Sequence, residues 1–167
     1  MSVSTIPALR TALLVRLAAE TWPTATPQIA RSHPYPEPSA DEMIYLAGTQ
    51  NADPIGSQFG GGQTPSVFGM DRHEERYVQT LMVSVVRNAR EDVAAMEARA
   101  FELAGVIETS VRNWRTTTPS PYDGVVTFCY VDGLRLDSAH LIAAEGGKTP
   151  PSREVLITIE LACAAGI

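Results

Sequence analysis

The stretch that decides the fold is ERYVQTLMVSVVRNAREDVAAMEARAFELAGVIETSVRNW, residues 75–114. Its opening part, residues 75–87, alternates between two faces and is rich in valine, which predicts a long β-strand. The remainder, residues 93–114, repeats apolar side chains at spacings of three and four, which predicts an amphipathic helix. That apolar stripe consists of Val93, Met96, Ala100, Leu103, Ile107, Val111 and Trp114.

The opposite face of this predicted helix is polar, as expected for a helix that lies on one side of a sheet. It carries Glu97, Arg99, Glu102 and Arg112. The acidic pair Glu91-Asp92 precedes the helix, where negative charge is favourable beside the positive end of the helix dipole. The similar pair Glu74-Glu75 is interpreted as the solvated beginning of the strand.

Upstream, residues 6–20 predict a second amphipathic helix, with Ser4 or Thr5 as its cap. Residues 21–41 contain five prolines, which predict an extended connector rather than a long helix or a central strand. Residues 42–47 predict a short strand. Residues 51–73 are rich in glycine and proline and lack periodicity, so they predict a long loop of a kind that is usually functional or disordered.

Downstream of the second helix, three more strands are predicted over residues 125–131, 134–142 and 153–163. Asp132-Gly133 is a pair favoured in tight turns and predicts a hairpin between the first two. The predicted fold class is therefore α+β, with an antiparallel-dominated sheet of four to five strands, two helices on one face and long Gly/Pro-rich loops. The length of 167 residues fits a single domain spanning residues 1–167.

Composition excludes several classes of function. The formal net charge of −6 gives no basic surface for binding nucleic acid or an anionic membrane. No apolar run approaches the roughly 20 residues that span a bilayer, and the N-terminus lacks the features of a secretory signal. We therefore expect synthesis in the cytoplasm.

Residues suited to catalysis or metal binding do not form a motif. No pair among His33, His73 and His140 has zinc-like spacing, and no serine or cysteine nucleophile signature is present. The glycine run 60–62 lacks the lysine and hydroxyl residue of a phosphate loop. Cys129 and Cys163 lie in strand-like segments and are interpreted as buried small hydrophobic residues rather than a disulfide or reactive thiols. We expect no cofactor, no metal and no enzymatic activity.

Four stretches together resemble a known family. They are IPALRTALLVRLAA (6–19), ERYVQTLMVSVVRNARED (75–92), AAMEARAFELAGVIETSVR (94–112) and REVLITIELACAA (153–165). In these stretches, which cover 64 of the 167 residues, the sequence resembles the tail-terminator and related neck proteins of long-tailed double-stranded DNA phages. The junction between the valine-rich strand and the Ala/Glu/Arg-rich helix is the most specific part.

The resemblance implies a structural virion protein that is assembled in the host cytoplasm. Proteins of this family form a hexameric ring that caps the tail tube, ends its polymerisation and contacts a head-completion protein. The implied partners are copies of the chain itself, the tail-tube protein and the head-completion or stopper protein, while DNA passes through the lumen without specific binding. The longer loops leave open an adjacent neck or tail-completion protein.

Residues 51–73 are the first candidate for contacts between subunits. Phe59 and Phe68 are the expected apolar anchors. Ile55, Val67 and His73 are the other candidate contact residues. A surface loop without a partner is the alternative interpretation. The segment from Gly146 to Ser152 is a second candidate. Two other functions remain open at this point, namely a tail-tube or baseplate-type protein that stacks indefinitely, and a small-molecule-binding protein or enzyme on an α+β scaffold.

Overall fold

The computed structural model describes residues 5–32, 40–46, 48–50, 53–55, 57–65, 73–88, 90–117, 119–142 and 152–166. Within them lie two α-helices, eight β-strands and a short 3₁₀ helix. In chain order the elements are α1 (Ile6–Ala19), β1 (Gln28–Ala30), β2 (Glu42–Tyr45), β3 (Gly48–Gln50), β4 (Asp53–Ile55), β5 (Ser57–Pro65), β6 (His73–Asn88), α2 (Val93–Trp114), the 3₁₀ helix (Pro121–Gly124), β7 (Phe128–Ile142) and β8 (Ser152–Gly166).

The main sheet has six strands in the described residues, with the order β1-β2-β6-β8-β7 and β5 also paired to β6. Only the β1–β2 pair is parallel; the other pairs are antiparallel. Because β8 occupies one side of β6 along residues 74–88, β2 and β5 share the other side. The predicted α+β class with a mostly antiparallel sheet is confirmed.

Both helices pack against the same face of this sheet. From α1, Leu9, Leu13 and Leu17 are fully buried in the main core. The predicted stripe of α2 is buried in the same core from Met96 to Trp114, and its bounds agree with the prediction. Alternate residues of β6 and β8 complete this core. Every second side chain of each strand therefore packs in the same cluster as the apolar stripes of the helices.

The opposite face of the sheet carries a second, smaller apolar cluster. Met43 and Tyr45 of β2, Met82 of β6 and Leu156 of β8 are buried in it. Thr158 is also buried on this face, whereas Glu160 two residues further along β8 is exposed. This face is therefore apolar near β2 and presents a charged side chain to solvent at Glu160.

Two predicted connections differ from the structure. Within the predicted loop 51–73, residues 57–65 form β5, and within the connector 21–41, residues 28–30 form β1. Gly60, Gly61 and Gly62 give β5 no alternating pattern, and its register with β6 shifts at Gly61. Pairing with β6, rather than local periodicity, explains a strand of this composition.

The predicted hairpin at Asp132-Gly133 is wrong, because residues 128–142 form one strand. On β8, Leu161 and Glu160 pair with Val131 and Gly133, so Asp132 is an extra residue in a β-bulge. The long β8 accepts both halves of β7 on one edge, which lets the chain continue instead of turning. A β-carbon at Gly133 would lie 3.4 Å from a carboxylate oxygen of Glu160, an ordinary van der Waals contact.

Glu75 anchors the beginning of α1 and is not the solvated residue that the sequence suggested. Its side chain is buried, and its Oε2 accepts hydrogen bonds from the backbone N–H and the hydroxyl of Thr5, both at 2.7 Å. Thr5 occupies the N-cap position but makes no side-chain capping bond of its own. The carboxylate at the N-terminus of the helix thus comes from β6, where it also interacts favourably with the helix dipole.

A second polar anchor joins β2, β6 and α2. The Glu42 carboxylate accepts hydrogen bonds from Arg99 Nη2 at 2.8 Å and Nε at 3.1 Å, and it also pairs with Arg87. Burial raises the pKa of Glu42, but the hydrogen bonds from Arg99 and Arg87 outweigh burial and hold the pKa below its usual value. Arg99, predicted on the solvated face of α2, therefore ties the helix to an outer strand.

Replacing Glu75 should uncouple α1 from the sheet. We expect Glu75→Gln to lower the free energy of unfolding by about 1–3 kcal/mol, because charge-assisted hydrogen bonds to Thr5 are weakened in a buried place. Urea denaturation followed by circular dichroism measures this. Glu160→Gln on the exposed part of β8 is the matched control and should change stability by about 0.5 kcal/mol or less. Equal effects of the two substitutions would contradict the anchoring role.

Acidification should remove the contribution of Glu42 to stability. A carboxylate whose pKa is lowered on folding stabilises the protein above the unfolded-state value, about 4.3, and this contribution is lost as pH falls through the folded-state pKa. We therefore expect the difference in unfolding free energy between the wild type and Glu42→Gln to shrink between about pH 7 and about pH 3. Urea denaturation across this range measures it, and a constant difference would contradict the assignment.

Candidate assembly surface

Three of the five sequence-predicted contact residues lie in described strands, at one edge of the main sheet and in a small two-stranded sheet. Phe59 in β5 is opposite Tyr77 of β6, and His73 at the beginning of β6 is opposite Pro65. Ile55 lies in β4, which pairs with β3 in a separate two-stranded sheet. Backbone pairing therefore brings Phe59 and His73 into one pair of strands and leaves Ile55 in another.

Val67 and Phe68 lie outside the described residues, as do residues 146–151 of the second candidate segment; Ser152 begins β8. The role of residues 51–73 in subunit contacts stays a prediction.

The other edge of the sheet is formed by β7, and it carries most of the exposed large apolar side chains among the described residues. Within the described part of the chain, no strand pairs with the outer side of β7. Tyr130 is 51% exposed, Leu134 is 44% exposed and Leu136 is 36% exposed. An unpaired edge of this length with exposed apolar residues is a ready template for association with another chain.

The exposed side chains of β7 occupy both faces of the strand. Leu134 and Leu136 pair with Ile159 and Ile157 of β8, which are buried under the helices, so the two leucines lie on the helix side. Tyr130 pairs with Ala162 and lies on the opposite side, where its ring stacks on Phe128 with a centroid distance of 5.9 Å. The edge is therefore apolar on both faces.

An open groove runs between the C-terminal half of α2 and the beginning of β7. Its volume is about 750 Å³, and its wall on the helix side includes Glu108, Arg112 and Arg115. Glu108 Oε1 accepts a hydrogen bond from Arg112 at 2.5 Å, so this ion pair lies along the rim. The wall on the strand side consists of residues 127–131, and Pro121 and Tyr122 also line the groove.

Phe101 of α2 extends the same side of the molecule. It is 45% exposed and precedes Glu108 by seven residues, which places it about two helical turns along the same face. The exposed apolar residues on the helix side of the sheet therefore include Phe101, Leu134 and Leu136, whereas Tyr130 lies on the reverse face of β7.

A left-handed corner after α2 contributes Tyr122 to the lining of the groove. Tyr122, Asp123 and Gly124 have φ values of 52°, 54° and 73°, a conformation that is uncommon for residues with a β-carbon. Tyr122 is buried with its ring edge-on to Trp114 at 5.7 Å, and Asp123 Oδ2 accepts a hydrogen bond from the Trp114 indole at 2.7 Å. These contacts with the end of α2 hold the corner in a strained backbone conformation.

The sequence did not identify the β7 surface as a contact site. The predicted hairpin divided residues 128–142 between two strands, so a single long edge was not predicted. Phe101 was not singled out because most residues on its helix face are polar. The available signal was the run FCYVDGLRL, in which apolar residues occupy both faces of a strand.

Within the described residues, no group of three or more His, Cys, Asp or Glu side chains could hold a metal ion. In the same part of the chain, none of the helices is long and apolar enough to cross a membrane.

The left-handed corner at residues 122–124 should depend on the Asp123 side chain for its stability. Asp123→Ala removes the acceptor of the buried Trp114 indole and places a residue that disfavours positive φ, so we expect a loss of about 1–3 kcal/mol in unfolding free energy. Asp123→Asn keeps an acceptor oxygen and tolerates the left-handed region, so its loss should be smaller. Urea denaturation of both variants tests this, and an equal loss would contradict the specific role of the Asp123 side chain.

Comparison with known proteins finds distant structural similarity. No protein-family model matches the chain, and no curated protein matches it. A solved structure described as "Virion of native gene transfer agent (GTA) particle" contains a chain that aligns with 98% of this chain and 100% of its own length. The sequence identity is 15% and the TM-score is 0.45, values too low to assign a family or a function.

Proposed function

We propose that this protein is a structural subunit of a phage-like virion that forms a ring on the end of the tail tube. In this role it ends polymerisation of the tube and joins the tail to the head-completion protein, while DNA passes through the central channel. It acts by assembly in the host cytoplasm and catalyses no reaction. The phage assignment is supported by the resemblance of residues 6–19, 75–92, 94–112 and 153–165 to tail-terminator and neck proteins.

The observation that carries the assembly role is the unpaired edge of β7 with its exposed Tyr130, Leu134 and Leu136. Burying apolar surface of this kind against another chain is the main favourable contribution to association. The edge also offers backbone donors and acceptors that a neighbouring strand can pair with. A solvated monomer gains nothing from keeping three large apolar side chains on one strand edge.

The position of this edge in the sheet supports a ring. A closed ring is built from head-to-tail contacts, so each subunit needs two different surfaces. β7 lies at one end of the strand order, and β5, with the predicted contact residue Phe59, lies on the far side of β6. The two candidate surfaces are therefore separated by the β6–β8 core, as a contact with one neighbour on each side requires.

An adjacent neck or tail-tube protein would use the same surfaces, and the form of the assembly distinguishes these roles. Finite rings, or caps at the ends of tail tubes, support the terminator. Open tubes support a tail-tube protein. Electron microscopy of the purified protein, alone and mixed with the tail-tube protein of the same particle, is the direct test.

A substitution on the β7 edge should abolish assembly. We expect Leu134→Asp to remove rings and tube caps in electron micrographs, because burying an unpaired carboxylate in the contact costs several kcal/mol. Val15→Asp is the matched control, since Val15 is an apolar residue that is 67% exposed on α1, away from β7. It should assemble like the wild type. The melting temperature of each variant should lie within a few degrees of the wild-type value.

Assembly by Leu134→Asp at wild-type efficiency would show that the β7 edge is not a contact surface. A wild-type protein that never associates with tube ends would contradict the terminator role itself.

The groove beside β7 favours a second candidate function, a small-molecule-binding protein. Its volume of about 750 Å³ lies within the usual range of ligand sites, about 300–1,000 Å³. Arg112 and Arg115 on its helix wall could contact an anionic ligand. A screen of small anionic compounds by thermal shift separates this function from assembly, since a ligand-stabilised monomer that forms no ring supports the binding protein.

A further inference from the structure

The two cysteines lie directly opposite each other on neighbouring strands. Cys129 of β7 pairs in register with Cys163 of β8, and their Sγ atoms are 3.2 Å apart. Both thiols are free, and both side chains are buried. Sequence interpretation assigned them to packing alone, and the proposed assembly role does not use them.

The backbone geometry suits a disulfide. Residues opposite each other in antiparallel strands have Cα atoms about 4.5–5.5 Å apart. Disulfides span Cα distances of about 4.4–6.8 Å, with a sulfur–sulfur bond of about 2.05 Å. Bringing the two Sγ atoms from 3.2 Å to bonding distance therefore needs side-chain rotation and a small approach, without any change in strand register.

The two thiols differ in their access to an oxidant. Cys129 lies in the strand wall of the groove between α2 and β7, whereas Cys163 is behind it on β8. An oxidant that enters the groove therefore meets Cys129 first. The hydrogen bond with Cys129 and burial both raise the pKa of Cys163, so this thiol stays protonated at neutral pH. Since the thiolate is the reactive form, reaction should accelerate as pH rises.

We propose that Cys129 and Cys163 are a redox modification site at which a low-molecular-weight disulfide forms a cross-strand bond. The Cys129 thiolate attacks one sulfur of the oxidant, giving a mixed disulfide and releasing one thiol. The Cys163 thiol then loses its proton and attacks Cys129 Sγ, which forms the Cys129–Cys163 bond and releases the second thiol. The two cysteines are oxidised by two electrons, and the oxidant is reduced to two thiols.

The bond would fasten the exposed edge strand to the centre of the sheet. β7 has one described neighbour, β8, so it is held in the main sheet from one side only. A covalent link between the two strands closes a loop between positions 129 and 163 and restricts the unfolded chain. This site is independent of the proposed virion role, because it concerns the isolated subunit.

The test uses oxidised and reduced glutathione as the redox buffer at mildly alkaline pH. Two preparations are brought to equilibrium in this buffer. One starts as native reduced protein, and the other is unfolded in urea and then refolded in the same buffer. Acid quenching, alkylation and intact-mass analysis then count free thiols. We expect both preparations to lose both thiols as an internal disulfide, with a loss of two hydrogen masses and no glutathione adduct, and the melting temperature to rise by roughly 5–10 °C.

The variants Cys129→Ser and Cys163→Ser are the matched controls. Each retains one thiol, so each should show at most a glutathione adduct and no rise in melting temperature on oxidation. The Cys163→Ser variant, which keeps the thiol facing the groove, should form the adduct faster in its native state than Cys129→Ser. The proposal would be overturned if wild-type protein in both preparations ended with two free thiols, or with glutathione adducts alone.

Discussion

The uninterrupted antiparallel ladder between β6 and β8 is the interaction on which the rest of the structure depends. It runs from the Glu74–Gly166 pair to the Asn88–Ser152 pair without a bulge. Every other strand of the main sheet, except β1, pairs with one of these two. The helices pack on the alternate residues that the ladder aligns, so its register decides which side chains enter the core.

Buried polar groups on this ladder and its neighbours determine where the helices lie. Apolar packing alone is non-directional and allows a helix to slide or rotate on a sheet. Glu75 binds the first turn of α1, and four residues later on the same face Gln79 accepts a hydrogen bond from Arg10 at 2.9 Å. Gln79 also donates to the Leu46 carbonyl at 2.8 Å, which ties the end of β2 to the same point. Such bonds are costly to break once they are buried.

The helices are also joined to each other by polar contacts. Arg16 Nε donates to the carbonyl and the hydroxyl of Ser110, both at 3.0 Å, and its guanidinium carbon lies 5.9 Å from the centre of the Trp114 ring. Ser110 in turn donates to Glu20. The positions of α1 and α2 are therefore fixed relative to each other as well as to the sheet.

Periodicity predicted the elements whose own side chains decide their structure. The bounds of α2, the core stripe from Met96 to Trp114 and the strand character of residues 75–87 and 153–163 follow from apolar spacing alone. The strand β5 and the unbroken β7 depend on pairing with distant residues, which local composition does not reveal. Glu75 was misinterpreted for the same reason, since its partner Thr5 is 70 positions away in the chain. The β7 surface was missed because exposure depends on which strand lacks a neighbour.

The bulges in β7 have a consequence for colloidal behaviour. Its register shifts between Val131 and Gly133 and again between Asp137 and His140. Each bulge bends the strand and increases its local twist. Flat, regular edges stack side by side into cross-β fibres, whereas a bent and twisted edge cannot repeat its own hydrogen bonds indefinitely. We therefore expect the two bulges of β7 to disfavour amyloid-like growth in concentrated solutions of the subunit.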